Sequence, residues 1–205
     1  MTVAWRELRW AALSATRWGW PVTPGTFLGA DRRWHGRGDA QALGPVQDMW
    51  RQAPVCDPAR VEEIWTRAPY GVLLVCGQAV TVLELPSRFI GLLPALQPGL
   101  RSGESVVPVV VTGSPPRFLV FTATDSDVLL PELILAGVRL HGAGAWVALP
   151  PTSTELVLIQ RWWTRPVEGQ PRLCPGTGVQ RLLLAALLDS GLGTGQSDDD
   201  DDDDE

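Results

Sequence analysis

Val80-Thr81-Val82-Leu83-Glu84-Leu85-Pro86-Ser87 is a β-branched and aliphatic run closed by a proline, and it reads as a strand over 80–85. Side chains two apart on a strand share a face. A strand that ends in acids at alternate positions can therefore present two carboxylates to a pair of Mg²⁺ ions about 3.5–4 Å apart. Here Glu84 supplies the first acid, but the same-face position two residues on is Pro86. One carboxylate does not make a two-metal site.

Working outward, Tyr70-Gly71-Val72-Leu73-Leu74-Val75-Cys76-Gly77 predicts a strand over 71–76 that turns at Gly77-Gln78. On the other side, 87–96 is expected to be helical and to end at Pro98-Gly99. Strands are expected near 106–112 and 117–122. Asp57-Pro58 starts a helix that runs to about Arg67, with proline at the first helical position. Trp5, Leu8, Ala12 and Ala15 recur at helical spacing and predict a helix over 3–18, ended near Gly19. The segment 24–55 is rich in Gly, Pro and charge, which predicts a long loop with one short helix.

Further on, 127–136 is expected to be helical despite Pro131, followed by strands at 137–141, 144–149 and 156–163. A helix over 178–189 carries an apolar stripe of Leu182, Leu183, Ala186 and Leu187. Hairpins and helices are mixed along the chain. The expected fold is α+β, a single domain over 1–190 with a mixed or antiparallel central sheet flanked by helices. The Gly- and Asp-rich stretch 191–205 is expected to be a disordered tail.

With 205 residues the chain can bury a core of ordinary size. No apolar run reaches the ~18–20 residues that a membrane-spanning helix needs, and the N-terminus lacks the pattern of a signal peptide. Cys56, Cys76 and Cys174 match neither a disulfide framework nor a zinc spacing. A cytoplasmic protein with no membrane partner is expected. The formal charge of −6 is dominated by Asp198 to Glu205, eight acids in the last eight residues. The rest holds 17 arginines against 15 acids (23 less those eight) and contains no lysine. Arginine is the side chain best suited to bidentate phosphate contacts and to stacking.

Several stretches recur together in an order that carries a resemblance. They are Gly19-Trp20-Pro21-Val22-Thr23-Pro24, the helix from Asp57-Pro58, the two strands 71–76 and 80–85, Val111-Thr112-Gly113-Ser114-Pro115-Pro116-Arg117-Phe118-Leu119-Val120-Phe121, and Gly144-Ala145-Trp146-Val147-Ala148-Leu149-Pro150-Pro151. Over about 5–165 the chain resembles the bifunctional DNA primase/polymerase N-terminal domain, a branch of the archaeo-eukaryotic primase superfamily. The resemblance implies an Asp-x-Asp on the first catalytic strand, a His on the second and an Asp on a later strand. Carried over by position, these fall on Glu84 and Pro86, on Phe118 and on Arg139. The resemblance thus points to a degenerate member that has lost its chemistry.

The candidate cleft for nucleic acid or another ligand comprises Glu84, Arg117, Arg139 and His141, with the basic, aromatic-bearing segment Arg32, Arg33, Trp34 and Arg37 at its edge. Arg and Trp together suit phosphate contact and base stacking. A Glu84–Arg139 ion pair is expected in place of the metals, with His141 on the same side by alternation. The expected function is a non-catalytic nucleic-acid-binding or regulatory protein of DNA replication or repair, with DNA or a nucleotide as ligand. No cofactor is expected under that reading. An active polymerase would need Mg²⁺ held by Glu84 with acids from elsewhere, such as Asp125 or Asp127. A third reading is a protein–protein module. The acidic tail has three readings of its own: solubilisation, contact with a basic protein partner, or competition with nucleic acid for the arginines.

Overall fold

The computed structural model describes residues 5–96, 107–153, 160–166 and 172–189. The expected stop at Pro98-Gly99, the first part of the 156–163 strand and the acidic tail lie outside these residues.

The first helix, α1 (Trp5–Arg17), buries Leu8, Ala11, Ala12 and Ala15. It ends through glycine chemistry. Gly19 takes φ +76°, and the amides of Gly19 and Trp20 reach back to the carbonyls of Thr16 and Ala15, both at 2.9 Å. This left-handed cap satisfies carbonyls that the helix leaves open. Helix α2 (Pro58–Trp65) begins at Asp57, whose carboxylate accepts from the Ala59 amide at 3.0 Å. Both helices pack together over one face of the sheet system.

The described strands are β1 (Val22–Gly25), β2 (Phe27–Leu28), β3 (Trp34–His35), β4 (Gly71–Val75), β5 (Val80–Leu85), β6 (Val109–Thr112), β7 (Arg117–Ala123), β8 (Arg139–His141), β9 (Trp146–Ala148) and β10 (Arg161–Thr164). They form a three-stranded sheet β1-β4-β9, a five-stranded sheet β10-β6-β7-β5-β8 and a small β2-β3 ribbon. Every strand pairing within these sheets is antiparallel. The α+β class is as expected, with the sheet system divided in two. No helix forms among 24–55, where the ribbon takes the place of the expected short helix.

The division has a local cause. β4 leads into β5 through Gly77, and β8 leads into β9 through Gly142-Ala143-Gly144, so both links pass from one sheet to the other. The links pack against each other. Gly77 sits at φ +92°, and a Cβ there would lie 2.3 Å from the Ala143 Cα. The Cys76 amide donates to the Ala145 carbonyl at 3.0 Å. Only glycine allows both that backbone angle and that approach.

Strand alternation then sorts two cores. Val80 and Val82 of β5, Val110 of β6, and Leu119 and Phe121 of β7 face α1, α2 and the three-stranded sheet. Leu83 and Leu85, Val109, Phe118 and Val120 face the other way. There they meet a 3-10 helix (Ser87–Leu96), α3 (Pro131–Leu135) and α4 (Gly176–Asp189). The 87–96 segment, expected as a helix, contains Pro94, which lacks the N–H that an α-helical turn would use. No helix among the described residues is long and apolar enough to cross a membrane.

Candidate functional site

Glu84 sits on β5 between two neighbours, opposite Leu119 of β7 on one side and Arg139 of β8 on the other. Its side chain points to the same face as Val80 and Val82, but it lies at the end of the strand, where the first core gives way to a cavity. That cavity has a volume of about 290 Å³. Glu84, His141, Thr112 and Gln160 supply its polar lining, and Leu43, Leu119 and Trp146 are among its apolar walls. Leu43 arrives from the long 24–55 segment, which Thr26 clamps in place. The Thr26 hydroxyl donates to the Ala42 carbonyl at 2.8 Å and accepts from the Gly44 amide at 2.9 Å.

Both carboxylate oxygens of Glu84 are engaged. His141 Nε2 donates to Oε2 at 2.7 Å. Arg117 brings its Nε against Oε1 as an ion pair. The second contact is Coulombic rather than a directed hydrogen bond, since the buried Nε–H finds no acceptor in line. The two partners come from the strands on either side, each diagonal to Glu84 in the register, within reach of long side chains. The His141 hydrogen bond, together with the charges of Arg117, His141 and Arg139, holds the Glu84 carboxyl below its usual range against the opposing effect of burial.

Arg139, expected as the ion-pair partner, does not fill that role. It stands directly across from Glu84 in register, yet it is exposed, and among the described residues no ion pair joins the two side chains. With both oxygens taken by shorter-range partners, the long Arg139 side chain extends to solvent, where its charge is best hydrated. Phe118 also departs from expectation. It points to the opposite face, is 1% exposed and packs in the second core. The β7 residues that share the face of Glu84 and lie nearest to it in register are Arg117 and Leu119. Pro86 lies just beyond β5 against Gly137.

The basic segment forms a separate feature. β2 and β3 pair as a ribbon whose tip carries Arg32, at φ +61°, and Arg33, both exposed. Asp31 braces the tip by accepting from the Arg33 amide at 3.2 Å and from His35 Nε2 at 2.9 Å. Trp34 is half-buried in the ribbon. Arg37 is committed to Asp39 at 2.9 Å and to Asp48 at 3.2 Å. Of the 24–55 segment, Ala42 and Leu43 reach the cavity lining, and the ribbon arginines do not.

Asp125 and Asp127 are the two further acids that an active polymerase would draw on as metal ligands. Asp125 accepts from the Thr177 amide at 3.1 Å and from its hydroxyl, capping the first turn of α4. It lies two residues past Ala123, which pairs with Val80 and is already about 13 Å along the sheet from the level of Glu84. Asp127 lies against Gly142. Among the described residues no three His, Cys, Asp or Glu side chains stand together where they could hold a metal ion. Sequence reasoning missed Thr112, Leu119, Trp146 and Gln160 as lining residues. Counting alternate positions back from Phe121 along β7 would have found Leu119.

Antiparallel sheets packed with helices, with one acidic strand position lining a cavity beside basic neighbours, define an α+β domain. Residues 11–176 match the family profile of the bifunctional DNA primase/polymerase, N-terminal domain, and the chain belongs to that family. No curated protein was found to match the chain.

The family implies divalent metal ions held by carboxylates. The residues here do not fit them. Glu84 is one carboxylate with both oxygens engaged, Pro86 offers no ligand, and Arg139 and Arg117 bring positive charge to the face. A two-metal centre needs several converging anionic ligands.

Proposed function

We propose that this chain is a primase-polymerase domain that binds nucleic acid without polymerising it, serving as a binding or regulatory protein in DNA replication or repair. The observation that carries the reading is the engagement of Glu84 by Arg117 and His141, where the family fold would place metal ions. A carboxylate neutralised by two basic side chains has little left to offer a divalent cation. The same substitutions favour phosphate. Arg139 is exposed on the same face, and Arg32 and Arg33 project from the ribbon tip beside Trp34. Arginine charges set the salt-dependent affinity for a nucleic-acid backbone, while an aromatic ring gives a stacking surface.

Two assays test the proposal. Primer extension with Mg²⁺ or Mn²⁺ should show no incorporation of deoxynucleotides. Labelled single- and double-stranded DNA should bind in EDTA, with affinity that falls steeply as salt rises. Metal-dependent incorporation that vanishes in Glu84→Gln would establish an active polymerase instead. Absence of binding at low salt would leave a protein-interaction module.

A further inference from the structure

We infer that the Glu84 position has exchanged a bound metal for built-in cations: Arg117, His141 and Arg139 form a site for a phosphate group that requires no divalent ion. The inference deepens the nucleic-acid reading by naming the group held at this face and what holds it.

The strand register supplies the first argument. Glu84 stands between β7 and β8, and the side chains diagonal to it on both strands are basic. In a metal site the dication would sit over this carboxylate. Here the Arg117 guanidinium and the His141 imidazole take its two oxygens. Glu84 therefore acts as a positioning residue, fixing two nitrogen-bearing side chains beside a cavity that Glu84 and His141 themselves line. Its side chain is 13% exposed, against 34% for Arg117 and 26% for His141. The acid is thus the sheltered member of the cluster, and the bases are the accessible ones.

Charge supplies the second argument. Glu84 balances one arginine, and Arg139, directly across from it, has no ion-pair partner among the described residues. The cluster keeps one net positive charge with His141 neutral and two with it protonated. Arginine's planar fork suits a phosphate oxygen pair, and its charge does not vary with pH. The adjoining cavity provides room beside the cluster, with Thr112 and Gln160 as further polar lining. A divalent cation would have to displace Arg117 or His141 and then sit among these positive charges.

Inorganic tripolyphosphate, which has neither base nor sugar, is the probe. Calorimetric titration of the full chain in EDTA should show binding, weakened about tenfold in both Arg139→Gln and Arg117→Gln. In parallel, Mn²⁺ binding followed by the paramagnetic resonance of the free ion should be equally weak in the wild type and in Glu84→Gln. The double variant Arg117→Gln/Arg139→Asp frees Glu84 and sets a second acid across from it, and should bind Mn²⁺ about tenfold more tightly. If that variant does not fold, Arg139→Asp alone serves, because its position is exposed on an edge strand.

Three results would overturn the inference. They are no tripolyphosphate binding in EDTA, binding indifferent to both arginine substitutions, and a wild-type Mn²⁺ site that Glu84→Gln abolishes. Should tripolyphosphate behave as expected while oligonucleotides fail to bind, the nucleic-acid reading falls and the phosphate site stands.

Discussion

Glu84 is a carboxylate with a basic neighbour on either oxygen, and its pKa is held low mainly by the His141 hydrogen bond. A group whose folded pKa is depressed stabilises the fold above its unfolded value, and that contribution disappears as pH falls through the folded value. Glu84→Gln should therefore be less stable than the wild type at neutral pH, by about 1–3 kcal/mol. The gap should begin to close once pH drops below the ordinary glutamate value of about 4.3. Urea midpoints of both proteins between pH 7 and pH 3 measure this. A gap that stays constant across the range would show that the ionised form gains nothing from its two partners. The importance of Glu84 was legible from its spacing to Pro86, and His141 from its alternation with Arg139. Arg117 as the ion-pair partner was not, because the choice among three cations depends on side-chain reach across the sheet. The position assigned to Phe118 failed for a simpler reason. In a strand a shift of one residue moves a side chain to the other face.

At the scale of elements, glycine and threonine control where the sheets part and where the cavity is walled. Gly77→Ala would meet the Ala143 backbone and force a left-handed angle on a residue with a Cβ. We expect a loss of about 3 kcal/mol or more, measured by chemical denaturation. A change below 1 kcal/mol would show that the two crossing links tolerate separation. Thr26→Val removes a hydroxyl that pairs with two backbone groups of the 42–44 segment. Leaving these partly buried groups unpaired should cost about 1–2 kcal/mol and loosen the Ala42–Leu43 wall of the cavity. Faster amide exchange at Gly44 would report that loosening. Most elements could be read from the sequence, because β-branched runs, the Asp57-Pro58 start and the Gly19 stop are local signals. The β2-β3 ribbon could not. Each of its strands spans two residues, and the ribbon is braced by Asp31 and His35 rather than by apolar alternation. The division of the sheet was also hidden, since it depends on Gly77 meeting a turn 66 residues away in sequence.

For the whole molecule, charge is unevenly distributed. The last eight residues carry eight acids, while everything before them holds 17 arginines and 15 acids (23 less eight). Replacing Asp198 to Asp204 with Asn and Glu205 with Gln would move the formal charge from −6 to +2. A tethered polyanion competes with an incoming one at a high effective concentration, and the competition is electrostatic. The neutralised protein should therefore bind single-stranded DNA more tightly than the wild type at low salt. The advantage should shrink as salt rises, because the screening length falls from about 10 Å at 0.1 M to about 3 Å at 1 M. Fluorescence anisotropy across a salt series gives both affinities and both slopes. If the tail competes for the arginine surface, the two curves converge at high salt, and the neutralised protein has the steeper slope, because more counterions leave the DNA on binding. Curves that coincide at every salt concentration would mean that the acids never reach the binding surface, and the tail would then be left with a solubilising role or a basic protein partner.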